Sequence, residues 1–202
     1  MTLYEQFGDL DIYLFDQLLK GRLTPAMTVL DAGCGGGRNL VYLLREQFVV
    51  FAVDAQPQAV AQVRQLAAHL APQLPADNFQ VAEVAALPFA AAQFDCVISS
   101  AVLHFARDEA HFNQMLSEMW RVLKPGGLFF ARLASSIGLA DRVQPLDHGQ
   151  FALPDGSTRF LVDEDMLAAA TARLGATWRE PLKTTNVANL RCMTTWVLGK
   201  AS

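Results

Sequence analysis

Short apolar runs of strand length alternate along this chain with segments of helical period. Val29 and Leu30 lead into Asp31 and a glycine turn. Phe48 to Val53 is β-branched and aromatic and ends at Asp54; Phe79 to Val81 ends near Glu83. Phe94 to Ser99 and Leu128 to Leu133 make a fourth and a fifth run. Continuous apolar character, rather than strict alternation, suits strands covered on both faces, as in a parallel sheet.

The intervening segments read as helices. Gln56-Pro57 opens one, with Pro57 in the first turn, where its missing N–H is harmless. Val60, Val63, Ala67 and Leu70 then share a face. Asp108 suits an N-cap, and Phe112, Met115, Leu116, Met119, Val122 and Leu123 form the next stripe. Lys124-Pro125-Gly126-Gly127 stops that helix and turns the chain into the fifth strand. Asp163 opens another, with Met166, Leu167, Ala170 and Leu174 inward and Gly175 as its left-handed end. Thr177 to Leu182 and Met193 to Leu198 read as a closing strand pair.

This order predicts one α/β domain over residues 1–202: a doubly wound, Rossmann-like sheet of seven strands, mostly parallel with an antiparallel C-terminal strand, and helices on both faces. Right-handed crossovers put the strand carboxyl ends along one edge, where a ligand should sit. Residues 1–27 form an N-terminal helical or lid segment, in which either Tyr4, Tyr13 and Phe15 cover the site or Leu14, Phe15 and Leu18 pack the helix on the sheet. Ala134 to Arg159, with Gly138, Pro145, Gly149 and Pro154-Asp155-Gly156, is expected to be a long irregular loop. Residues 134–160 are assigned to the substrate side, since long loops in compact domains are often functional.

Composition removes several classes. No charge-free stretch has the length of a membrane span. Met1 to Asp11 is mixed and acidic, unlike a signal peptide, and the cysteine pattern fits a reducing, cytoplasmic location. The net charge is −4 and the basic residues are scattered, which disfavours nucleic acid. Cys34, Cys96 and Cys192 are odd in number and widely spaced, so neither a disulfide framework nor a metal site is expected. No stretch identifies a dimer interface, and homodimerisation stays open.

The chemistry is concentrated in Asp31-Ala32-Gly33-Cys34-Gly35-Gly36-Gly37, after a strand and before a helix. Glycines allow a tight turn and close ligand approach, and a helix N-terminus offers free N–H groups. A dinucleotide fingerprint needs G-x-G-x-x-G. From Gly33 its third glycine falls on Arg38, and from Gly35 on Leu40, so neither register fits.

Asp-x-Gly-x-Gly-x-Gly at the end of the first strand resembles motif I of the class I S-adenosylmethionine-dependent methyltransferases. Asp54 matches the acidic residue that family carries after its second strand. Glu83-Val84, then Leu87-Pro88-Phe89, resembles its third-strand region, with Glu where Asp is commoner. Phe94-Asp95 through Ser100 and Leu123-Lys124-Pro125-Gly126-Gly127 resemble the fourth strand and the turn before the fifth. The resemblance covers roughly residues 28 to 133. Gly37-Arg38-Asn39 with Tyr42 and Leu43 is also similar to the tellurite-resistance and thiopurine-type enzymes.

The resemblance implies S-adenosylmethionine as cofactor and S-adenosylhomocysteine as product. It places Asp31 at the methionine ammonium through water, and Gly33, Cys34 and Gly35 along methionine and ribose. Asp54 takes the ribose hydroxyls, Ala55 and Gln56 flank adenine, and Glu83 and Val84 contact it. Ser99 lies under the methionine, and Arg38 either meets the cofactor carboxylate or decorates the surface. Cys34 is a backbone donor, not a nucleophile.

Methyl transfer from a sulfonium is an in-line displacement, so the protein mainly aligns and desolvates, and a base is needed only for a protonated nucleophile. His104 is the candidate base, with a pocket-wall role as the alternative; His148 is a candidate for facing substrate. Ser99-Ser100-Ala101-Val102 replaces the Asn/Asp-Pro-Pro-Tyr/Phe of many adenine and glutamine methylases. The expected activity is methylation of a small molecule. A protein or RNA acceptor, or a non-catalytic S-adenosylmethionine-binding partner subunit, is the alternative.

Overall fold

In the computed structural model, which describes residues 2–202, β1 (Thr28–Ala32) lies between β2 (Val49–Asp54) and β4 (Phe94–Ser100), parallel to both. β3 (Phe79–Val81) extends the sheet beyond β2, and β5 (Leu123–Ser135) lies beyond β4, again in parallel. β11 (Arg191–Lys200) runs antiparallel to β5. Its outer edge is shared by β9 (Ala176–Trp178) and β10 (Lys183–Val187), both antiparallel to it. The order is therefore β10-β11-β5-β4-β1-β2-β3, with β9 beside β10. The mostly parallel order of seven strands is as expected, with β9 as an eighth on the same edge as β10, and of the expected edge strand Thr177 to Leu182 only Thr177 and Trp178 pair with β11. That stretch is split into β9 and a turn, and the polar segment Lys183–Val187 pairs instead. Ala188 and Asn189, both at positive φ, close its hairpin.

The apolar runs are buried because helices cover both faces. On one side Leu14, from α2 (Ile12–Leu19), joins Leu43 and Leu44 from α3 (Val41–Arg45). Val60, Val63 and Ala67 from α4 (Pro57–Leu70) complete that layer over Val29, Val50, Cys96 and Phe130. On the other, Phe112, Met115, Leu116 and Met119 of α5 (Glu109–Val122) cover Leu30, Val97 and Phe129. Leu167 and Ala170 of α6 (Glu164–Arg173) join them. The caps fall where the sequence places them: Asp108 accepts from the His111 amide at 2.7 Å and Asp163 from that of Met166 at 2.8 Å.

The helix after the glycine turn starts later than expected. Residues 38–40 are turn, and α3 begins only at Val41 with no side-chain cap. The amides nearest the site are those of the turn, not of a helix N-terminus.

Residues 134–159 are not an irregular loop. β5 continues to Ser135, and β6 (Gln144–Pro145), β7 (Gln150–Ala152) and β8 (Thr158–Phe160) form a small antiparallel sheet. Pro154-Asp155-Gly156 is the β7–β8 turn, closed by the Gly156 amide on the Leu153 carbonyl at 2.9 Å. Phe160 stacks on Phe112 at 5.3 Å, and Gln150 Nε2 donates to the Ala106 carbonyl at 2.7 Å. Both contacts hold this sheet beside the carboxyl end of β4.

Candidate active site

A cavity of about 960 Å³ opens at the carboxyl ends of β1 to β4. That volume is at the upper end for a small-molecule or cofactor pocket. Its floor is the turn after β1. The Gly33 and Cys34 amides both donate to the Val53 carbonyl, at 2.8 and 2.9 Å. Gly33 has φ +86°, and a Cβ there would stand 2.4 Å from Val102 Cγ2. Gly35 has φ +52°, and a Cβ there would meet nothing within 4 Å. The first glycine is required by packing; the second keeps the cavity open.

Asp54, the last residue of β2, accepts from the Gly35 amide through Oδ2 and from the Gln56 amide through Oδ1, each at 2.9 Å. Each carboxylate oxygen still has a lone pair for a ligand hydroxyl. Ala55, Gln56, Glu83 and Val84 continue the same wall. Tyr4, Glu5, Gly8 and Asp9, in and after α1 (Leu3–Phe7), line the cavity from above. Phe7 stacks on Tyr42 of α3 at 5.0 Å, which ties this segment to the turn side. The two expectations for the N-terminus divide by residue: the α1 region lines the cavity, and Leu14 in α2 is core.

Of the residues expected at the cofactor, Gly33, Cys34, Gly35, Arg38, Asp54, Ala55, Gln56, Glu83 and Val84 line the cavity, whereas Asp31 and Ser99 do not. Asp31 is 1 % exposed, behind the turn, and neither of its carboxylate oxygens has a hydrogen-bond partner among the described residues. Burial, reinforced by Asp54 and opposed by Arg38, pushes its pKa up to about 7. Ser99 is also buried with its hydroxyl unpartnered among the described residues, and Ser100 reaches the cavity instead. Successive strand residues face opposite ways, so the substitution is one of strand parity. Burial raises the Cys34 thiol far above its ordinary range, as a non-nucleophilic residue requires. Phe105, His111 and Met115 also line the cavity. No sequence pattern marked them as such, because Met115 and His111 read as an ordinary helix face.

A smaller cavity, of about 290 Å³, lies next to the first and shares Arg38 and Ala101 with it as lining residues. His104, Arg132, Arg159 and Arg191 are among its walls. His104 caps the end of a ladder. Beyond Ser100 β4 leaves β5, and the next β5 amide on that side, Ala134, donates to His104 Nδ1 at 3.2 Å. The ring is 6 % exposed, and burial with nearby Arg159 and Arg191 lowers its pKa to about 4. With Nδ1 accepting, the neutral ring carries its proton on Nε2. His148 is exposed and lines neither cavity.

The model of a methyltransferase-domain family matches residues 30–131, from the middle of β1 into β5. The chain belongs to the class I S-adenosylmethionine-dependent methyltransferases. An uncharacterized methyltransferase, YodH, of Bacillus subtilis is 35 % identical over 133 residues, 64 % of this chain and 54 % of that protein. A malonyl-(acyl-carrier protein) O-methyltransferase of Pseudescherichia vulneris is 30 % identical over 184 residues, 89 % of this chain and 67 % of that one. The chain spans about half the length of the first curated relatives it matches. Its fold is shared with an S-adenosylmethionine-dependent methyltransferase of Methanosarcina mazei (TM-score 0.70, 20 % identity, 91 % of this chain and 97 % of that one). It is shared too with the 1,6-didemethyltoxoflavin-N1-methyltransferase of Burkholderia thailandensis (TM-score 0.67, 20 % identity, 94 % and 76 %).

The residues present suit the family's cofactor. A buried, partnerless carboxylate beside the cavity suits an ammonium, and Asp54 suits a vicinal diol. Among the described residues no group of three or more His, Cys, Asp or Glu side chains could hold a metal ion, and no helix is long and apolar enough to cross a membrane.

Proposed function

We propose that this chain binds S-adenosylmethionine in the larger cavity and directs its methyl group to a small-molecule acceptor in the smaller one. The observation that carries this reading is that the two cavities are neighbours, walled in common by Arg38 and Ala101. A compartment of about 290 Å³ suits a small molecule, or one end of a larger one. Two curated relatives, from Enterobacter lignolyticus and Pseudescherichia vulneris, are named for a malonyl group on a carrier protein, and the Burkholderia structure for a toxoflavin precursor. These names support small acceptor groups without choosing one.

Bound there, the cofactor supplies an electrophilic methyl and its own leaving group. The chain's residues supply position. Asp54 takes the ribose hydroxyls while its Gly35 bond fixes the turn. Glu83 and Val84 hold the adenine, with Ala55 and Gln56 alongside. Asp31 answers the ammonium through a bridging water, since its carboxylate lies behind the cavity wall. Gly33, Cys34 and Gly35 run along methionine and ribose. Ser100, not Ser99, lies under the methionine and receives a bond from Arg38 Nη2 at 2.9 Å. Tyr4 and Glu5 close the top and exclude water. His104 is a hydrogen-bond donor, because its only other nitrogen already accepts from Ala134. The acceptor therefore arrives deprotonated or releases its proton to water.

The test is incubation with S-adenosylmethionine and a panel of small acids, phenols, amines and thiols, with release of S-adenosylhomocysteine followed. Turnover with one chemical class supports the reading. Turnover only with proteins or RNA would replace it.

A further inference from the structure

Four of the chain's twelve arginines converge on the smaller cavity: Arg38 from the turn, Arg132 from β5, Arg159 from β8 and Arg191 from the start of β11. No lysine lines it. Two carboxylates oppose them. Asp155 lies 3.7 Å from Arg191, and Asp11 lies 3.0 Å from Arg132 and 3.6 Å from Arg38. Four positive against two negative charges leave a net of two positive, in a chain whose overall charge is −4.

The guanidiniums are also under-used as donors. Arg159 lies 4.9 Å over the Phe105 ring and, among the described residues, donates only to the neighbouring Thr158 carbonyl, at 2.7 Å. Arg191 makes no ion pair among the described residues besides the long contact with Asp155. Arg132 Nε is buried without a hydrogen-bond partner among the described residues. His104 Nε2–H adds another donor to the same walls. Leu153, Val187 and Met193 supply an apolar side.

We propose that this cavity seats a compact oxyanion of the methyl acceptor, a carboxylate or a phosphate, between Arg159 and Arg191 with Arg132 behind. The forked guanidinium donates two parallel bonds to either group, which an ammonium cannot match. The inference rests on the methyltransferase reading, because it treats the smaller cavity as the acceptor's. Arg159 carries the connection: stacked on Phe105, which lines the cofactor cavity, it holds the anion beside the methyl-transfer site.

The experiment is titration calorimetry on the full chain at constant ionic strength, first with S-adenosylhomocysteine and then, on the loaded protein, with malonate, succinate and inorganic phosphate. Dimethyl malonate, dimethyl succinate and trimethyl phosphate serve as neutral counterparts. We expect saturable binding of at least one anion and none of its ester. Arg159→Gln and Arg191→Gln should each weaken anion binding about tenfold or more, the loss expected for a charged hydrogen bond. Both should leave S-adenosylhomocysteine affinity within about twofold, since neither side chain lines the larger cavity. Preference for malonate or succinate assigns a carboxylate, and preference for phosphate a phosphate. Equal binding of the esters, or unchanged anion affinity in both variants, overturns the proposal. If S-adenosylhomocysteine does not bind, the methyltransferase reading fails instead, and the same anions and variants on the unloaded chain still decide whether the arginines form an oxyanion site.

Discussion

The Gly35 amide donates to Asp54 Oδ2 at 2.9 Å, so the turn that follows β1 is held by the side chain that ends β2. One carboxylate thus shapes the cavity floor and offers its remaining lone pairs to a ligand. Asp54→Ala removes both functions, and affinity for S-adenosylhomocysteine should fall by about 10- to 100-fold, the scale of one or two charge-assisted bonds. An analogue lacking both ribose hydroxyls should lose less affinity in the variant than the complete cofactor does, its remaining loss reporting the turn that Asp54 holds through Gly35. A variant that bound the complete cofactor as tightly as wild type would remove Asp54 from the site.

Asp31 is stabilised as the neutral acid in the free protein, and this has a definite sign. Its folded pKa, about 7, lies above the ordinary 3.8. The folded state therefore holds the proton more tightly, and stability from this group is lost as pH rises from about 4 through about 7. Asp31→Asn should flatten that slope and raise the melting temperature of the free protein at pH 8. It should also weaken cofactor binding, because the ammonium loses its counter-charge. Binding to wild type should likewise weaken below pH 7, where Asp31 is protonated. Melting curves from pH 4 to 9, with and without S-adenosylhomocysteine, check both halves.

His104 has the opposite sign. Its folded pKa of about 4 lies below the ordinary 6.5, so its stabilisation is full above pH 6.5 and lost as pH falls toward 4. Because the ring stays neutral through pH 5 to 9, no inflection in the rate profile near pH 6.5 should come from it. His104→Ala leaves the Ala134 amide without a partner and should destabilise by about 1–3 kcal/mol. Its effect on rate should stay below the roughly 10²-fold that loss of a general base produces. A loss of 10³-fold or more with unchanged melting temperature would restore His104 as the base.

Glu180 gathers Lys20, Arg22 and Lys183, the first and last at 2.5 and 2.8 Å, and so ties the end of α2 to the segment between β9 and β10. Bonds from Lys183 and Lys20 bring its pKa down to about 2. The stability it gives is present above about pH 4.5 and lost as pH falls toward 2. Glu180→Gln should lower the melting temperature at pH 7 and leave S-adenosylhomocysteine affinity unchanged, since Glu180 lines neither cavity. Circular dichroism melts and calorimetry on one preparation separate the two effects.

The sheet and the cofactor side were legible because their signals are local. A glycine turn, a carboxylate ending a strand and a cap before a stripe each need only a few consecutive residues. Ser99 and Ser100 show the limit of such reading: placing a strand end within one residue does not decide which side chain faces the ligand. The small β6–β8 sheet was missed because its strands are two or three residues long, too short for a period, although Pro154-Asp155-Gly156 already marked the turn. Lys183–Val187 was missed because its polar residues sit on a half-exposed edge. The arginine cavity was out of reach for another reason. Arg38, Arg132, Arg159 and Arg191 are scattered along the chain, and only the folded sheet brings them together.

The most direct measurement is titration calorimetry of the full chain with S-adenosylhomocysteine, S-adenosylmethionine and NAD at pH 8, for wild type and Asp54→Ala. The two adenosyl ligands should bind wild type at one site per chain and lose about 10- to 100-fold in the variant, while NAD gives no heat. Binding of NAD alone, or no binding of either adenosyl ligand, would contradict the assignment of the glycine-turn cavity.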